Sequence, residues 1–339
     1  MDEFYEIFLA NFFDPKKRIF VGYLISAILI ALVWLVWRKN YSLHGAVTKI
    51  FDASIFFSRS SLADVKVFIF NKIFMLFISP LLITQLIIAT AIFNALSTLD
   101  WNPSNFGNKF SVTTVIASFT TFLFLFEDFS KYFVHRWMHK LPFLWAFHKV
   151  HHSADKLTPL TVFRTHPMEG IVFSFRSAFV QGVSISFFYY LFGNKVDLAT
   201  ILGVNFFLFF FNVFGSNLRH SHISIRYWQW LERFLISPAQ HQLHHSIAEE
   251  HYDKNFGATL AVWDWMFGSL HLSVENDDFQ LGVKEEYEYD AHSLTTIYVV
   301  PLVEAIRHFK CMLLGNHQSD VGSMQEIDQK TLQNVRKES

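Results

Sequence analysis

Long apolar stretches, separated by short polar segments, run through the first two thirds of this chain. The stretch from Ile19 to Trp37 covers 19 residues without a charged side chain. As a helix it would be about 28 Å long, close to the hydrocarbon thickness of a bilayer. Basic residues flank it on both sides, and no small-residue cleavage site follows it. We therefore expect a retained membrane anchor rather than a signal peptide.

Further apolar stretches have the length of membrane spans. They are Ile73 to Leu96, Phe110 to Phe126, Ile171 to Phe192, and Leu198 to Phe214. The last two are joined only by Gly193 to Asp197, which predicts a tight helical hairpin. Three polar residues interrupt these stretches and are expected to face protein rather than lipid. They are Arg176, Asn205 and Asn212.

Basic residues are concentrated in two of the connecting segments, between the first and second spans and between the third and fourth. The segment from Ser97 to Lys109 has Lys109 as its basic residue. The positive-inside rule places the two basic segments in the cytoplasm. Five spans then leave the N-terminus outside and the His-rich second half inside. The basic run from Lys16 to Arg18 argues against this orientation at the first span.

This pattern divides the chain into three parts. An N-terminal membrane region with two spans covers residues 1–109, and a third, His-rich region covers 110–273. The remainder, 274–339, holds an amphipathic stretch from Ser293 to Leu314, which we expect at the membrane interface rather than across it. A charged tail from Ser319 to Ser339 follows.

Composition agrees with a membrane protein and narrows its chemistry. Hydrophobic residues make up 52% of the chain and charged residues only 17%, which is low for a soluble domain. The net charge of −1 argues against nucleic-acid binding. The single cysteine, Cys311, excludes a disulfide framework and a Cys-rich metal site. Twelve of the 17 histidines lie between His135 and His251, which indicates a membrane metalloprotein.

Three histidine clusters carry the candidate chemistry. The first cluster pairs His135 with His139, four residues apart on one helix face. The second and third share one spacing, in which the second and third histidines follow the first by three and four residues. Their members are His148, His151 and His152, then His241, His244 and His245. Packing alone does not explain so many rings, because each buried ring needs partners for its nitrogens.

The lead-in to the third cluster predicts the start of a helix. Ser237 fits the N-cap, Pro238 fits the first helical position, and Gln240 completes a capping box. Such a helix presents His241, His244 and His245 from its first turns.

The histidines outside the three clusters differ in their expected roles. His220 follows the fifth span where the chain returns to the cytoplasmic face, so we expect it to join the clusters. His166 and His222 are further candidate ligands. We expect surface positions for the remaining histidines of this region, which are His251, His271 and His292.

The number of imidazoles favours a dinuclear site. Imidazole binds zinc, copper, iron and nickel alike, so the ligand type alone does not name the metal. Nine histidines exceed the three or four of one tetrahedral zinc and suffice for two ions. No cluster has the H-E-x-x-H pattern of zinc proteases. Two redox metals at a membrane surface point to oxygen activation on a lipid.

The clusters together resemble the histidine boxes of the membrane fatty acid hydroxylase / sterol desaturase superfamily. The boxes are His135-x-x-x-His139, His148-x-x-His151-His152 and His241-x-x-His244-His245. The segments Tyr252 to Gly257 and Trp263 to Gly268 agree with the resemblance, which covers about 127–268. It implies that 110–273 is a catalytic domain of this kind.

The resemblance implies an all-α integral membrane bundle with a cytosolic His-rich cap that holds two iron ions. A purified form could carry zinc instead. Such enzymes use O2 to hydroxylate or desaturate a lipid C–H bond, with electrons from cytochrome b5 or from a ferredoxin with its reductase. The implied metal-binding and catalytic residues are the box histidines and His220. Some relatives have another histidine where this chain has Ser216. The implied membrane is the endoplasmic reticulum in a eukaryote or the inner membrane in a bacterium.

Three polar residues after the third box have two interpretations. Asp253, Asn255 and Asp264 could accept hydrogen bonds from the metal-binding imidazoles. They could equally serve turn and cap chemistry, since Asp, Asn and Gly cluster there.

Three alternatives to lipid C–H oxidation remain open. The same site could act as a monooxygenase on a lipid head group or an ether lipid. A non-redox membrane metal-binding protein or transporter is disfavoured because the boxes lie beside the spans rather than within them. A structural membrane protein is disfavoured by the repeated box spacing.

Overall fold

A computed structural model of the chain describes residues 8–82, 84–99, 103–196, 206–274, 279–284 and 290–314. Within these ranges, the regular structure is helical, and β-pairing is confined to two isolated bridges, Leu235 with Leu260 and Ser246 with Leu281. The predicted all-α class is confirmed. The charged tail from Ser319 to Ser339 lies outside the described residues.

The helices fall into a membrane bundle and a His-rich cap. The first half of the chain forms α1 (Ala10–Phe13), α2 (Val21–Val33, extended by a π-helical turn, Trp34–Arg38), α3 (Leu43–Ile50), α4 (Ala53–Phe56), α5 (Arg59–Ile78), α6 (Gln85–Ser97), α7 (Ser104–Gly107) and α8 (Val112–Lys140). The second half forms α9 (Pro142–His152), α10 (Pro167–Phe192), α11 (Phe206–Val213), α12 (Pro238–His244), α13 (Val262–Met266), α14 (Leu294–Tyr298) and α15 (Val300–Leu314). Short 3-10 turns lie between these helices, at Ser79–Leu81, Pro159–Phe163, Gly193–Lys195, Ser216–His220, Leu231–Arg233 and Glu249–His251.

The long helices α8 and α10 form the centre of the bundle and run antiparallel. They have 29 and 26 residues, and both are long and apolar enough to cross a membrane. At one end Phe119 packs against Phe188, and at the other end α8 carries the first histidine box. The protein is therefore an integral membrane protein in which one end of α8 and α10 bears the cap.

The charged residue that interrupts α10 faces protein, as predicted. The Arg176 guanidinium donates to the Glu127 carboxylate of α8 at 2.8 Å and to Ser130 Oγ at 2.7 Å. Asn212 accepts a hydrogen bond from Ser216 Oγ at 2.6 Å. Asn205 lies outside the described residues.

The second predicted span, Ile73 to Leu96, is not one helix. The helix α5 ends at Ile78, and a 3-10 turn containing Pro80 separates it from α6. Proline has no backbone N–H to continue the helix, which explains the break. The second half still follows α10 in the same direction, since Ile88 touches Gly182 and Phe93 touches Tyr189.

The other predicted stretches have mixed outcomes. A continuous helix covers the first span, from Val21 to Arg38. Only the end of the fifth span, α11, falls within the described residues. The stretch from Ser293 to Leu314 forms α14 and α15, which pack on the cap, because Ala305 lies in one buried cluster with Ala146 and Phe147 of α9.

A buried ion pair fastens α9 to the bundle. Arg164 is fully buried, and its guanidinium lies 3.1 Å from the Asp64 carboxylate of α5. The same guanidinium donates to Val150 O, near the end of α9, at 3.1 Å and to Ser153 Oγ at 2.9 Å. A single side chain thus holds the second histidine box against α5.

Replacing Arg164 by leucine should destabilise the protein strongly, since it leaves the Asp64 carboxylate buried without its cation. Removing one partner of a buried pair costs about 3–5 kcal/mol. We expect a clear fall in Tm for the detergent-solubilised protein. The matched control is Arg59→Ala, which breaks the exposed Arg59–Asp290 pair and should cost less than about 1 kcal/mol. Equal Tm values for the two variants would contradict this account.

Candidate metal centre

Four structural elements bring nine histidines together at the cap end of the bundle. Each of the nine belongs to the predicted ligand set. The last two turns of α8 carry His135 and His139, and α9 carries His148, His151 and His152. The 3-10 turn after α11 ends on His220, and α12 with its C-cap carries His241, His244 and His245.

Local sequence explains how the elements converge. Leu141 ends α8 with an extended backbone, and Pro142 then starts α9 at its first position, so the chain turns back sharply between the first two boxes. The predicted capping box at α12 is confirmed. Ser237 Oγ accepts from Gln240 N at 3.1 Å, and Gln240 Oε1 accepts from Ser237 N at 3.0 Å.

The nine rings form two adjacent groups, and within each group the ligand atoms lie within 4.8 Å of one another. Site A contains His135, His139, His148, His152 and His244. Site B contains His151, His220, His241 and His245. The two sites adjoin where the rings of His152 and His245 stack with centroids 4.4 Å apart.

Helical geometry divides the second and third boxes between the two sites, while both histidines of the first box face site A. In α9 the residues four apart, His148 and His152, face site A, while His151 faces site B. In the third box the residues four apart, His241 and His245, face site B, while His244 faces site A. Residues four apart share one helix face and the residue between them points aside. The spacing therefore contributes imidazoles to both groups from one short helix.

In site A, two ring nitrogens that face each other both lack a proton, because the other nitrogen of each ring carries it. His135 Nδ1 lies 2.7 Å from Phe256 O, and His244 Nδ1 lies 2.7 Å from Lys254 O. A carbonyl oxygen only accepts, so both Nδ1 atoms carry the proton, and in a neutral imidazole Nε2 then presents a lone pair. Yet His135 Nε2 lies 3.0 Å from His244 Nε2.

Site B also brings ring nitrogens close together. His220 Nε2 lies 3.1 Å from His151 Nε2 and 3.0 Å from His241 Nε2. Both ring nitrogens of His245 are buried and have no hydrogen-bond partner among the described residues. A buried polar nitrogen without a partner is costly, so this cluster is arranged for a further binding group.

Burial keeps these rings neutral at physiological pH. It lowers the pKa of His148 to about 3. Burial first, and then the charges of neighbouring imidazoles, lowers the pKa of His152, His241 and His245 well below the usual range. Neutral imidazoles are the form that binds metals.

The geometry fits a pair of metal ions. A transition-metal ion with nitrogen ligands at roughly 2.0–2.1 Å brings opposed nitrogens to about 4 Å, within the spread of each site. It would also satisfy the inward-facing lone pairs and the unpartnered nitrogens. The histidine clusters could therefore hold metal.

Three histidines outside the boxes lie apart from both sites. His166 is the N-cap of α10, where its Nδ1 accepts from Met168 N at 3.1 Å and its Nε2 lies 3.2 Å from Tyr298 O. His222 Nε2 lies 2.7 Å from Lys49 O. Neither belongs to site A or site B, which argues against both as ligands. His251, expected at the surface, is buried, and its Nδ1 lies 3.0 Å from Ser246 Oγ.

The polar residues after the third box act on the backbone rather than on imidazoles. Asp264 accepts from the N–H groups of Phe256 and Gly257, both at 2.8 Å. Asn255 donates to Gln240 O at 3.1 Å and accepts from His271 N, and Asp253 pairs with Lys140 at 2.6 Å. These contacts agree with the turn interpretation, and none of them is to an imidazole. Indirectly, Asn255 and Asp264 fix the loop whose carbonyls orient His135 and His244.

One buried acid beside the metal centre was not among the predicted site residues. Glu169, in the first turn of α10, places Oε1 3.0 Å from His148 Nδ1. A carboxylate in this position fixes the ring so that Nε2 faces site A. Its signal in the sequence is weak, because its 21-residue separation from His148 shows nothing of the contact until α10 packs against α9.

Ser216, where some relatives have a histidine, does not take the place of a ligand. Its hydroxyl donates to Asn212, and site B consists of four histidines without it.

A cavity of about 480 Å³ opens onto site A. Three ligands of that site, His139, His152 and His244, form part of its wall, together with Trp145, Ile247 and Tyr252. The ligands of site B do not line it. The two sites therefore differ in access, and a substrate in this cavity would meet site A.

The central segment of the chain is similar to a known protein family. Residues 120–269 match the family described as fatty acid hydroxylase. The chain is 29% identical over 147 residues to alkylglycerol monooxygenase of Danio rerio, which covers 43% of this chain and 29% of that protein. No solved structure is significantly similar to the chain.

Two further relatives act on other lipids by name. Ornithine lipid hydroxylase of Rhizobium tropici is 26% identical over 156 residues, covering 46% of this chain and 43% of that protein. A Delta(7)-sterol 5(6)-desaturase of Gibberella zeae is 29% identical over 154 residues, covering 45% and 42%. The chain thus spans less than half the length of each of these relatives.

Removing the Glu169 carboxylate should weaken metal binding at site A without removing a ligand. Loss of such a partner typically lowers metal affinity or activity by about 10–100-fold. We expect Glu169→Ala to lose metal faster than the wild type during dialysis against a chelator, as measured by elemental analysis. Glu169→Gln, which keeps an acceptor oxygen, should fall between the two. Metal loss at the wild-type rate in both variants would remove Glu169 from the site.

Proposed function

Because the chain belongs to the fatty acid hydroxylase / sterol desaturase superfamily, we propose that it is a membrane-bound di-iron oxidoreductase. It uses O2 and external electrons to hydroxylate or desaturate a C–H bond of a lipid, either a fatty acyl chain or a sterol-like molecule. One oxygen atom enters the product in hydroxylation, and two electrons and two protons convert the other to water.

One observation carries this proposal. Nine neutral imidazoles converge in two adjoining groups, and ring nitrogens of six of them lie 3.0–3.1 Å from a nitrogen of a neighbouring ring. The ligand set is histidine throughout in both groups, with no carboxylate in either. Two ions side by side suit a reaction that requires several electrons at one place.

Within this proposal, iron supplies the reactivity toward O2 and the C–H bond. The protein orients the ligands through three contacts to the outer nitrogens of the imidazoles. His135 and His244 donate to backbone carbonyls, and His148 Nδ1 lies 3.0 Å from Glu169 Oε1. Burial of the rings excludes water from the side of the sites that faces the bundle.

The cavity beside site A is the proposed place of the reacting carbon. It is lined mainly by apolar surface, with Trp145 and Ile247 in its wall and Tyr252, Asp253 and Lys284 also contributing to it. An apolar slot with a few polar groups suits a lipid whose chain lies inside and whose polar part remains near the entrance.

A second candidate within this chemistry is an ether-lipid monooxygenase. Its support is that several similar proteins are alkylglycerol monooxygenases. Oxygen insertion into the C–H bond beside an ether oxygen gives a hemiacetal, which splits into an alcohol and an aldehyde. A released fatty aldehyde would therefore distinguish this reaction from hydroxylation of an acyl chain.

We further propose that the site faces the cytoplasm and that cytochrome b5 or a ferredoxin with its reductase supplies the electrons. The basic segments between the predicted spans support the orientation. The sequence carries no Gly-rich dinucleotide fingerprint, which supports an external donor.

Metal analysis beside lipidomics tests the proposal. Purified wild-type protein should contain about two irons per chain, and expressing cells should show one lipid shifted by an added oxygen or by two lost hydrogens. His244→Ala should lose metal from site A and abolish the lipid shift, because it removes a site A ligand. His222→Ala is the matched control and should keep both. An iron-free wild type with an unaltered lipid profile would refute the assignment.

Filling the cavity should separate substrate access from metal binding. Ile247→Trp adds bulk beside site A and should lower turnover roughly 100-fold by displacing the reacting carbon, while the iron content stays at the wild-type level. Ile247→Val should retain most of the turnover. Full turnover in the tryptophan variant, measured as product lipid per chain, would place the substrate elsewhere.

A further inference from the structure

The helix α2, with its extension to Arg38, is long enough to span a bilayer, yet both of its ends lie against the cap. Its 18 residues would extend about 27 Å. A spanning helix of that length with one end at the cap would have its other end on the opposite side of the membrane. The contacts of the two ends therefore decide whether α2 crosses the membrane.

The N-terminal end touches the segment that carries His220. Arg18 O accepts a hydrogen bond from Asn217 Nδ2 at 3.0 Å, and Asn217 lies in the same 3-10 turn as His220. The metal-site residue His220 thus lies within one turn of the start of α2.

The C-terminal end touches the segment that leads into α12. Leu35 shares a buried cluster with Ile223 and Ile225, and Ile225 O accepts from Ala239 N of α12 at 3.0 Å. Trp34 and Arg38 also line a cavity together with Ala239 and Leu243. Both ends of α2 are therefore on the side of the membrane that holds the metal sites.

A true span in the same protein behaves differently. The cap end of α10 carries Glu169, which contacts His148, whereas its far end packs Phe192 against Phe106 and Phe110. Only one end of α10 reaches the metal sites.

We propose that α2 does not cross the bilayer but lies along the headgroup layer on the cap side, with one apolar face in the lipid. This inference does not depend on the proposed catalytic function. It revises the predicted first span and the predicted external N-terminus.

The side chains of α2 divide as a surface helix requires. One face is buried against the protein and contains Ile19, Tyr23, Ala27, Ala31 and Leu35. The opposite face, the lipid stripe, contains Val21, Ile25, Leu29, Val33 and Trp37, each at least 40% exposed. The stripe is apolar along its whole length, and the bilayer already in contact with α8 and α10 is the surface that fits it.

Charges and tryptophans mark the ends of the helix as interfacial. Basic residues lie at both ends, Lys16 to Arg18 before and Arg38 with Lys39 after. Near the C-terminal end Trp37 is 81% exposed, and Trp228 and Trp230 are 71% and 61% exposed. Exposed tryptophans are enriched at the membrane interface. With α2 in the plane, four predicted crossings remain, so the basic run at Lys16 lies on the same side as the other basic segments.

Depth measurement distinguishes the two orientations. In a Cys311→Ser background, which removes the only cysteine, single cysteines at Ile25, Leu29 and Val33 carry a fluorophore in vesicles that contain nitroxide-labelled phospholipids. All three should be quenched alike by a label near the headgroups. The control Phe122→Cys lies in the apolar first half of α8 and should be quenched by a label deep in the acyl chains.

Deep quenching at Leu29, with weaker deep quenching at Ile25 and Val33, would show a spanning helix and overturn the proposal. Absence of lipid quenching at all three positions would show that a protein covers the stripe, which would also overturn it.

Sidedness provides an independent measurement. Lys16→Cys should react with a membrane-impermeant maleimide from the same side as Lys156→Cys in the cap. Asn194→Cys, at the far end of α10, should react from the opposite side. Reaction of Lys16→Cys together with Asn194→Cys would refute the proposal. Neither readout requires metal or activity, so failure of the proposed catalytic function leaves this test intact.

Discussion

The structure depends on burying neutral imidazoles with their lone pairs pointed at one another. His135 and His244 donate the N–H of their outer nitrogen to a backbone carbonyl, and the outer nitrogen of His148 lies 3.0 Å from Glu169 Oε1. The inner nitrogens of His135 and His244 then present lone pairs that face each other at 3.0 Å. Such an arrangement is unfavourable by itself, because buried polar atoms need partners. Bound metal would remove the conflict, because it would accept the lone pairs of the inner nitrogens, and metal binding would then be coupled to folding in this region.

The supports of the cluster are distributed over the whole cap. Arg164 ties the second box to α5 through Asp64, and Asp128 of α8 accepts from the N–H groups of Thr259 and Leu260. Asp264 in turn holds the loop whose carbonyls orient the imidazoles. Each of these acids satisfies backbone or cationic donors rather than a metal. The ligands are therefore positioned by a network of buried charges and backbone groups that lies one layer further out.

Under the proposed function, the cap and the membrane region contribute to one reaction in different ways. The bundle of α8 and α10 carries two ligands and the orienting Glu169 into the interface, and the cavity at site A lies on the cap side of that junction. With α2 in the headgroup layer, the segment bearing His220 is supported from the lipid side.

The sequence by itself determined the all-α class, the cluster of nine histidines and the start of α12. These follow from local rules, since apolar length, spacing of four residues and a capping box act within one or two turns. Sequence could not divide the boxes between sites A and B, reveal the contact of Glu169 with His148, or show that His166 lies beside Tyr298. Those outcomes depend on which helices pack together over separations of 21 to 132 residues. The same limit applies to α2, since an apolar stretch has the length to span a bilayer whether or not tertiary contacts hold both of its ends on one side.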